Sequence, residues 1–197
     1  LLREFPALPA RDTVKIFAFR GSVFRVKMND RLERFLHHYA VTDLQYYFNT
    51  PLSPGVQEGL DRVLEPMLTG RNELEKVNLL LAFTQTTLEY LNDLDQFGRE
   101  KYMFADEALF YPFCDCEDRA VLFARLVKRY TDLDVVGLDW PDHVAAAVRF
   151  TVPVQGDFIS FRGDRYYICD PTYRGAGAGV AMKGLNGKEA RIIRITR

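Results

Sequence analysis

"YPFCDCEDRAVLFARLVKRY", residues 111–130, holds two cysteines one residue apart, directly before a segment with the pattern of a long amphipathic helix. Glu117 and Asp118 suit the first turn of such a helix, because acidic side chains interact favourably with its positive N-terminal end. The sequence therefore predicts a helix that begins near Cys116, with Cys114 in the loop before it.

The segments on either side of this helix differ in type. Upstream, Asn72 and Glu75 form a capping-box pattern that predicts a helix reaching to about residue 91. Downstream, "DVVGLDW", "HVAAAVRF", "DFISF" and "DRYYICD" are short runs bounded by turn residues and are typical of strands. Helices followed by an antiparallel sheet predict the α+β class, with the Cys116 helix packed on the sheet.

The first 70 residues are predicted to form a β/α extension. "TVKIFAF" and "SVFRVKM" favour a hairpin that turns at Arg20 and Gly21, and a helix is expected after Asn29 or Asp30. Ser53 and Pro54 open a second helix that ends near Leu68, since proline is well tolerated in a first helical turn.

The bulk composition excludes several classes of function. The 26 basic and 27 acidic residues give a net charge of −1, so the concentrated positive surface that nucleic acids require is not expected. No apolar run approaches the roughly 18–20 residues of a membrane-spanning helix, and no signal peptide is recognised. The chain opens with Leu1-Leu2 instead of Met, from which we expect that an export signal or a neighbouring domain lies outside it.

The cysteine pair has three interpretations. A zinc site would need further ligands from His143, Cys169 or Asp170, and a disulfide between Cys114 and Cys116 would close a small, strained ring. The third is a nucleophile: a cysteine at a helix N-terminus has free N–H groups and positive potential that favour the thiolate, with Glu117 and Asp118 partly offsetting this effect.

A nucleophilic cysteine works best beside an imidazole that is oriented by a carboxylate. His143 opens the strand "HVAAAVRF", and Asp170 ends the strand "RYYICD". If these strands are antiparallel neighbours, His143 and Asp170 meet at one edge of the sheet, over the helix tip that carries Cys116. Strand alternation places Cys169 on the opposite face, as a small core residue.

Three segments, "CDCEDRAVLFARLVKRY", "DHVAAAVRF" and "YYICDPTYRG", resemble the transglutaminase-like cysteine-enzyme superfamily. The resemblance covers about residues 75–175 and implies a papain-like or transglutaminase-like core, with Cys116 as nucleophile, His143 as base and Asp170 as orienting acid. It divides the chain into an N-terminal accessory lobe, residues 1–70, and a catalytic core, residues 71–197, expected to form one compact unit. Relatives often carry glycine where this chain has Cys114, so three roles stay open for that side chain: narrowing the pocket, forming a reversible oxidised species with Cys116, or none.

Three further residues are candidates for the same site. A side-chain donor for the oxyanion is expected from the preceding helix or loop, which points to Gln85 or Tyr111. Trp140, the single tryptophan, is a candidate for the pocket wall beside His143.

The resemblance implies a thiol-dependent acyl-transfer enzyme that acts on peptide or glutamine-type amides of a protein or peptide substrate. Bacterial members are commonly regarded as proteases, so hydrolysis is favoured over cross-linking, in an extracytoplasmic setting. No cofactor and no metal are predicted. The alternative function is a binding or scaffold module that keeps the fold without turnover, for which the cysteine at position 114 is the main support.

Overall fold

The computed structural model describes residues 12–185 and 188–196. Their strands and helices, in chain order, are β1 Asp12–Phe19, β2 Ser22–Asn29, α1 Asp30–His37, α2 Leu44–Asn49, α3 Pro54–Leu68, α4 Glu73–Thr87, β3 Glu89–Tyr90, α5 Asp93–Phe97, α6 Ala105–Phe110, β4 Phe113–Cys114, α7 Cys116–Tyr130, β5 Asp134–Trp140, β6 His143–Arg149, β7 Phe158–Phe161, β8 Asp164–Cys169 and β9 Arg191–Arg194. Residues 1–11 of the predicted N-terminal lobe lie outside the described residues.

A five-stranded antiparallel sheet, in the order β7-β8-β6-β5-β9, forms one layer of the fold. Its central strand β6 pairs with β8 in a register that sets Ala146 opposite Cys169. The start of β6 and the end of β8 therefore lie at the same edge of the sheet, as predicted from the sequence. The α+β class and the antiparallel sheet are confirmed.

Helix α7 lies at the centre of the molecule. It packs on β5 and β6 on one side and contacts α2, α4 and α6 on the others. Every residue from Glu117 to Val127 is buried, including Arg119 and Arg125. The amphipathic helix predicted from the sequence is thus enclosed on all sides, because helices cover the face that its polar residues were expected to turn to water.

The hairpin of β1 and β2 packs on α3 and α4. Its turn is the predicted pair Arg20 and Gly21, both with positive φ (47° and 79°), as a two-residue hairpin turn requires. Where α3 crosses β2, a Cβ at Gly59 would lie 3.0 Å from the Cα of Val26, so glycine permits this close approach. The boundary at residue 70 stays a prediction.

Three short helices and three strands differ from the sequence expectations: β3 and β4 form a two-residue parallel pair, and α4 ends at Thr87 instead of about residue 91. The segment around "YYFNTPLSPG", predicted as a turn, contains α2, which is capped by Asp43. The predicted loop 92–113 contains α5 and α6, and β9 adds an edge strand to the sheet. Helices of one or two turns show too few repeats of the 3.6-residue period to be recognised in sequence.

The described helices include none that is both long enough and apolar enough to cross a membrane. This agrees with the absence of a long apolar run in the sequence.

Glu33 on α1 is a buried acid with an unusual environment. Its side chain is buried, and neither carboxylate oxygen has a hydrogen-bond partner among the described residues. Burial, followed by the charges of Asp106 and Glu107, raises the pKa of Glu33 from 4.5 to about 8, with Lys101 opposing this. Between about pH 4.5 and about pH 8, the folded protein therefore keeps a proton on Glu33 that the unfolded chain releases.

Glu33→Gln is expected to make the protein more stable in alkaline solution. Because the pKa of Glu33 is raised on folding, the free energy of unfolding of the parent protein falls as pH rises from about 4.5 to about 8. Glutamine does not titrate, so the variant should gain on the order of 2 kcal/mol relative to the parent above pH 8. Urea unfolding on both sides of this range measures the difference, with the exposed Glu65→Gln as control. Parallel pH profiles for all three proteins would contradict the role given to Glu33.

Candidate active site

Cys116 is the first residue of α7 and lies at the start of β6 in space. Its thiol donates to Glu117 Oε2 at 3.1 Å, and the backbone N–H of Val144 hydrogen bonds to the sulfur. Burial and then the Glu117 carboxylate raise the pKa of the Cys116 thiol, and the Val144 N–H lowers it. The thiol is therefore protonated at rest. The sequence predicted only a partial offset from the neighbouring acids, whereas burial and Glu117 together outweigh the helix N-terminus.

His143 and Asp170 are in direct contact. His143 Nε2 lies 2.9 Å from Asp170 Oδ2, and both side chains are buried. Asp170 Oδ1 accepts the backbone N–H groups of Thr172 and Tyr173, at 2.9 and 3.1 Å, which fixes the carboxylate. Among the described residues, the hydrogen bonds of His143 use Nε2 alone, so Nδ1 is available to another group.

The sulfur and the imidazole belong to the same end of β6. Val144, whose N–H faces the sulfur of Cys116, directly follows His143 in the chain. The structure thus places Cys116, His143 and Asp170 at one sheet edge, the arrangement expected from the strand pattern.

Trp140 lies against the imidazole of His143. The two residues are paired across β5 and β6, and their rings stack with centroids 6.3 Å apart and an interplanar angle of 25°. The indole Nε1 donates to the carbonyl of Lys188 at 3.2 Å, which satisfies the buried polar atom. Trp140 therefore limits the freedom of the His143 ring and covers one side of it.

Gln85 makes contacts other than those of an oxyanion donor. Its amide nitrogen lies 2.9–3.0 Å from the carbonyl oxygens of Asp170, Tyr173 and Ala176, which share its two N–H donors, and its oxygen accepts from the N–H of Gly175 at 3.1 Å. Gln85 was predicted as an oxyanion donor; in the structure its amide instead holds the loop that follows Asp170 against α4. The helix-spaced sequence pattern cannot reveal this, because the loop is about 90 residues away in the chain.

Tyr111 also has another partner in the structure. Its hydroxyl lies 2.8 Å from Nδ1 of His37, on α1, and burial raises the pKa of Tyr111 to about 12. The hydroxyl of Tyr111, the second candidate for an oxyanion donor, therefore links the end of α6 to α1 through His37.

The other two cysteines are buried free thiols. Cys114 donates to the carbonyl of Glu89 at 3.7 Å, and burial raises the pKa of Cys114 to about 12. Position 114 does not have a positive φ, so its backbone does not require glycine. Cys169 packs in the core, as predicted. Cys114 is part of the main core cluster, and Cys114 and Cys116 do not form a disulfide.

Three carboxylates beside Cys116 form a cluster that the sequence did not predict. Asp93, Asp115 and Glu117 each offer a ligand atom within 4.8 Å of the others. Burial raises the pKa of Asp93 to about 7 and that of Asp115 to about 8. Oδ1 of both aspartates is buried without a hydrogen-bond partner in the described part of the chain. Such an all-oxygen donor set fits a hard cation such as Ca²⁺, which would lower the cost of burying these charges.

Calcium is expected to raise the melting temperature of the protein in mildly alkaline solution but not in mildly acidic solution. The carboxyl groups of Asp93 and Asp115 are protonated below their pKa values of about 7 and about 8, and a proton competes with the cation for the same oxygens. Differential scanning calorimetry with CaCl₂ or with chelator measures the effect. Asp93→Asn should weaken it, and the exposed Asp95→Asn, two residues on, should not. An equal response of both variants and the parent would rule out binding at this cluster.

Comparisons with protein-family models, with curated proteins and with solved structures gave no match for this chain. The likeness to the transglutaminase-like superfamily therefore rests on the three segments named above and stays a prediction.

Proposed function

We propose that the chain is a thiol-dependent acyl-transfer enzyme with a core of the transglutaminase-like kind, and that it cleaves peptide or glutamine-type amides. Cys116, His143 and Asp170 are its catalytic triad. The observation that supports this most directly is the 2.9 Å contact between His143 Nε2 and Asp170 Oδ2, at the strand end where the Val144 N–H meets the Cys116 sulfur.

In the first half of the reaction, the Cys116 sulfur attacks the amide carbonyl carbon and its proton passes to Nδ1 of His143. Asp170 stabilises the resulting imidazolium through Nε2–H. The negative oxygen of the tetrahedral intermediate faces the backbone N–H groups of Cys116 and Val144, the donors next to the sulfur. Collapse breaks the C–N bond, Nδ1–H protonates the departing amine, and a thioester remains on Cys116.

In the second half, Nδ1 of His143 accepts a proton from water as the water oxygen attacks the thioester. The C–S bond breaks, the carboxylic acid leaves, and the proton returns to the sulfur. An amine in place of water would give transfer instead of hydrolysis. We propose hydrolysis, on the resemblance to the bacterial members that are regarded as proteases.

A second candidate function is a binding module without turnover. The hydrogen bond from Cys116 to Glu117 favours it, because the raised pKa of the thiol opposes formation of the attacking thiolate. In the enzyme, transfer of the proton to His143 during attack removes the need for a resting thiolate.

The test is incubation of the purified protein with a library of N-acylated peptide amides in the presence of hydroxylamine, followed by mass spectrometry. Hydroxylamine intercepts a thioester as a hydroxamate, so cleaved peptides that end in a hydroxamate are expected. Neither hydroxamate nor cleavage product from any peptide would favour the binding module.

A further inference from the structure

A cavity of about 380 Å³ lies between the end of α4, strand β3 and the loop that follows Asp170. Tyr90 and Arg119 line it together with Thr172 and Arg174. The lining is joined to the proposed catalytic residues in two places: Arg119 follows Cys116 by one turn of α7, and the N–H of Thr172 donates to Asp170 Oδ1. The cavity therefore adjoins the place where the proposed chemistry occurs.

Arg119 is a buried cation without an anionic partner. It is one helical turn after Cys116, is 4% exposed, and forms no ion pair with any described residue. One guanidinium nitrogen, Nη2, donates to the carbonyl of Leu88 at 2.9 Å, and the group stacks on Tyr90 with its carbon 5.5 Å from the ring centroid. Nε–H has no hydrogen-bond partner in the described part of the chain. A buried charge of this kind is costly unless a counter-charge completes its surroundings.

Thr172 and Arg174 add two more groups to the lining of the cavity. Thr172 Oγ1 is buried and also lacks a hydrogen-bond partner among the described residues. The Arg174 guanidinium is exposed and makes no ion pair within the same residues. The cavity lining carries a single carboxylate, that of the exposed Glu89. Two guanidinium groups and one carboxylate leave the lining with one excess positive charge, and the Thr172 hydroxyl is free to hydrogen bond. The cavity is therefore suited to a singly charged anion.

We propose that this cavity binds a carboxylate of the peptide substrate, held by Nε–H of Arg119, the hydroxyl of Thr172 and the guanidinium of Arg174. This inference rests on the proposed function for its assignment of the ligand as a substrate. Guanidinium groups bind the two oxygens of a carboxylate well, and the nearby Glu89 disfavours a doubly charged phosphate. The substrate thus carries an acidic side chain, or a free chain end, close to the amide that is cleaved.

The experiment uses Cys116→Ala, which prevents turnover, and three probes of nearly equal size. N-acetylglutamate N-methylamide carries a side-chain carboxylate, N-acetylglutamine carries a chain-end carboxylate, and N-acetylglutamine N-methylamide carries none. Binding is followed by two-dimensional ¹H–¹⁵N NMR of the backbone amides of Tyr90, Arg119 and Thr172. At least one carboxylate probe is expected to bind about tenfold or more tightly than the neutral probe, the effect of one charge-assisted contact. The stronger of the two carboxylate probes identifies the source of the carboxylate.

Variants locate the binding and make the proposal refutable. Arg174→Gln, at an exposed position that is not expected to affect folding, should weaken the carboxylate probe about tenfold. Arg71→Gln removes an equivalent exposed charge before α4, about 20 Å from the helix end that borders the cavity, and should leave affinity unchanged. Equal binding of the neutral probe, equal effects of the two variants, shifts confined to other residues, or no shifts up to tens of millimolar would each overturn the proposal. Since no turnover is measured, failure of the proposed hydrolysis would not alter these results.

Discussion

Cys116→Ala is expected to reduce hydroxamate formation and amide cleavage by roughly 10⁴- to 10⁶-fold, which is the range found when a catalytic nucleophile is removed. No other group replaces the sulfur in the proposed reaction, because Cys114 and Cys169 are buried in the core. The Cys116 side chain is only half-buried, so alanine should leave the fold intact. The measurement is the initial rate of product formation by mass spectrometry, with thermal unfolding of the same preparation as a check of folding.

The matched control is Cys114→Ala. Its thiol donates a long hydrogen bond to the Glu89 carbonyl and interacts with the Arg119 guanidinium, and its removal should affect stability more than rate. If Cys116→Ala and Cys114→Ala both fold and lose rate equally, the loss is not specific to Cys116 and the assignment of the nucleophile is wrong. Cleavage by Cys116→Ala at the rate of the parent protein would show that the Cys116 sulfur is not the nucleophile.

Asp170→Asn is expected to lower kcat by about 10³- to 10⁴-fold with little change in KM. The asparagine keeps an oxygen that can accept from Thr172 and Tyr173, so the loop should stay in place. Its amide group, however, donates to Nε2 of His143 where the carboxylate accepted. The imidazole must then carry its proton on Nδ1, the atom that should accept the thiol proton of Cys116.

Asp142→Asn provides the comparison for this charge change. Asp142 is exposed, pairs with Lys188 at 3.3 Å, and directly precedes His143 in the chain. Its replacement should alter the rate by less than about threefold, because exposed ion pairs contribute little. Full activity of Asp170→Asn, or an equal loss in both variants, would remove Asp170 from the mechanism. Steady-state kinetics on one cleaved peptide gives both parameters.

The sheet edge that carries His143 and Asp170 could be predicted because local signals coincide there. Turn residues bound "HVAAAVRF" and "DRYYICD" and mark both strands, whereas chain order does not give their pairing, because β7 lies between β6 and β8 in sequence and pairs with β8. Once the two strands are taken as antiparallel neighbours, the start of the first must face the end of the second, independently of their side chains. Asn72 and Glu75 likewise fixed the start of α4, since a capping box needs only residues three apart.

The roles of Gln85 and Asp93 could not be predicted in the same way. Gln85 on α4 acts on a loop that sequence places far away, and Asp93 opens a five-residue helix that packs near Asp115. Both depend on tertiary packing around α7. The direction of the pKa shift of Cys116 was missed for a related reason, because it follows from how deeply α7 is buried.

The contacts of the Gln85 amide with the loop that follows Asp170 let one side chain affect two properties at once. The loop that Gln85 fastens carries Asp170 at one end and, a few residues on, Thr172 and Arg174 of the cavity wall. A substitution at position 85 is expected to alter the proposed proton relay and the proposed recognition of substrate together. Arg174 borders the same cavity from an exposed position, so its substitution is expected to alter the proposed recognition without disturbing the support of Asp170.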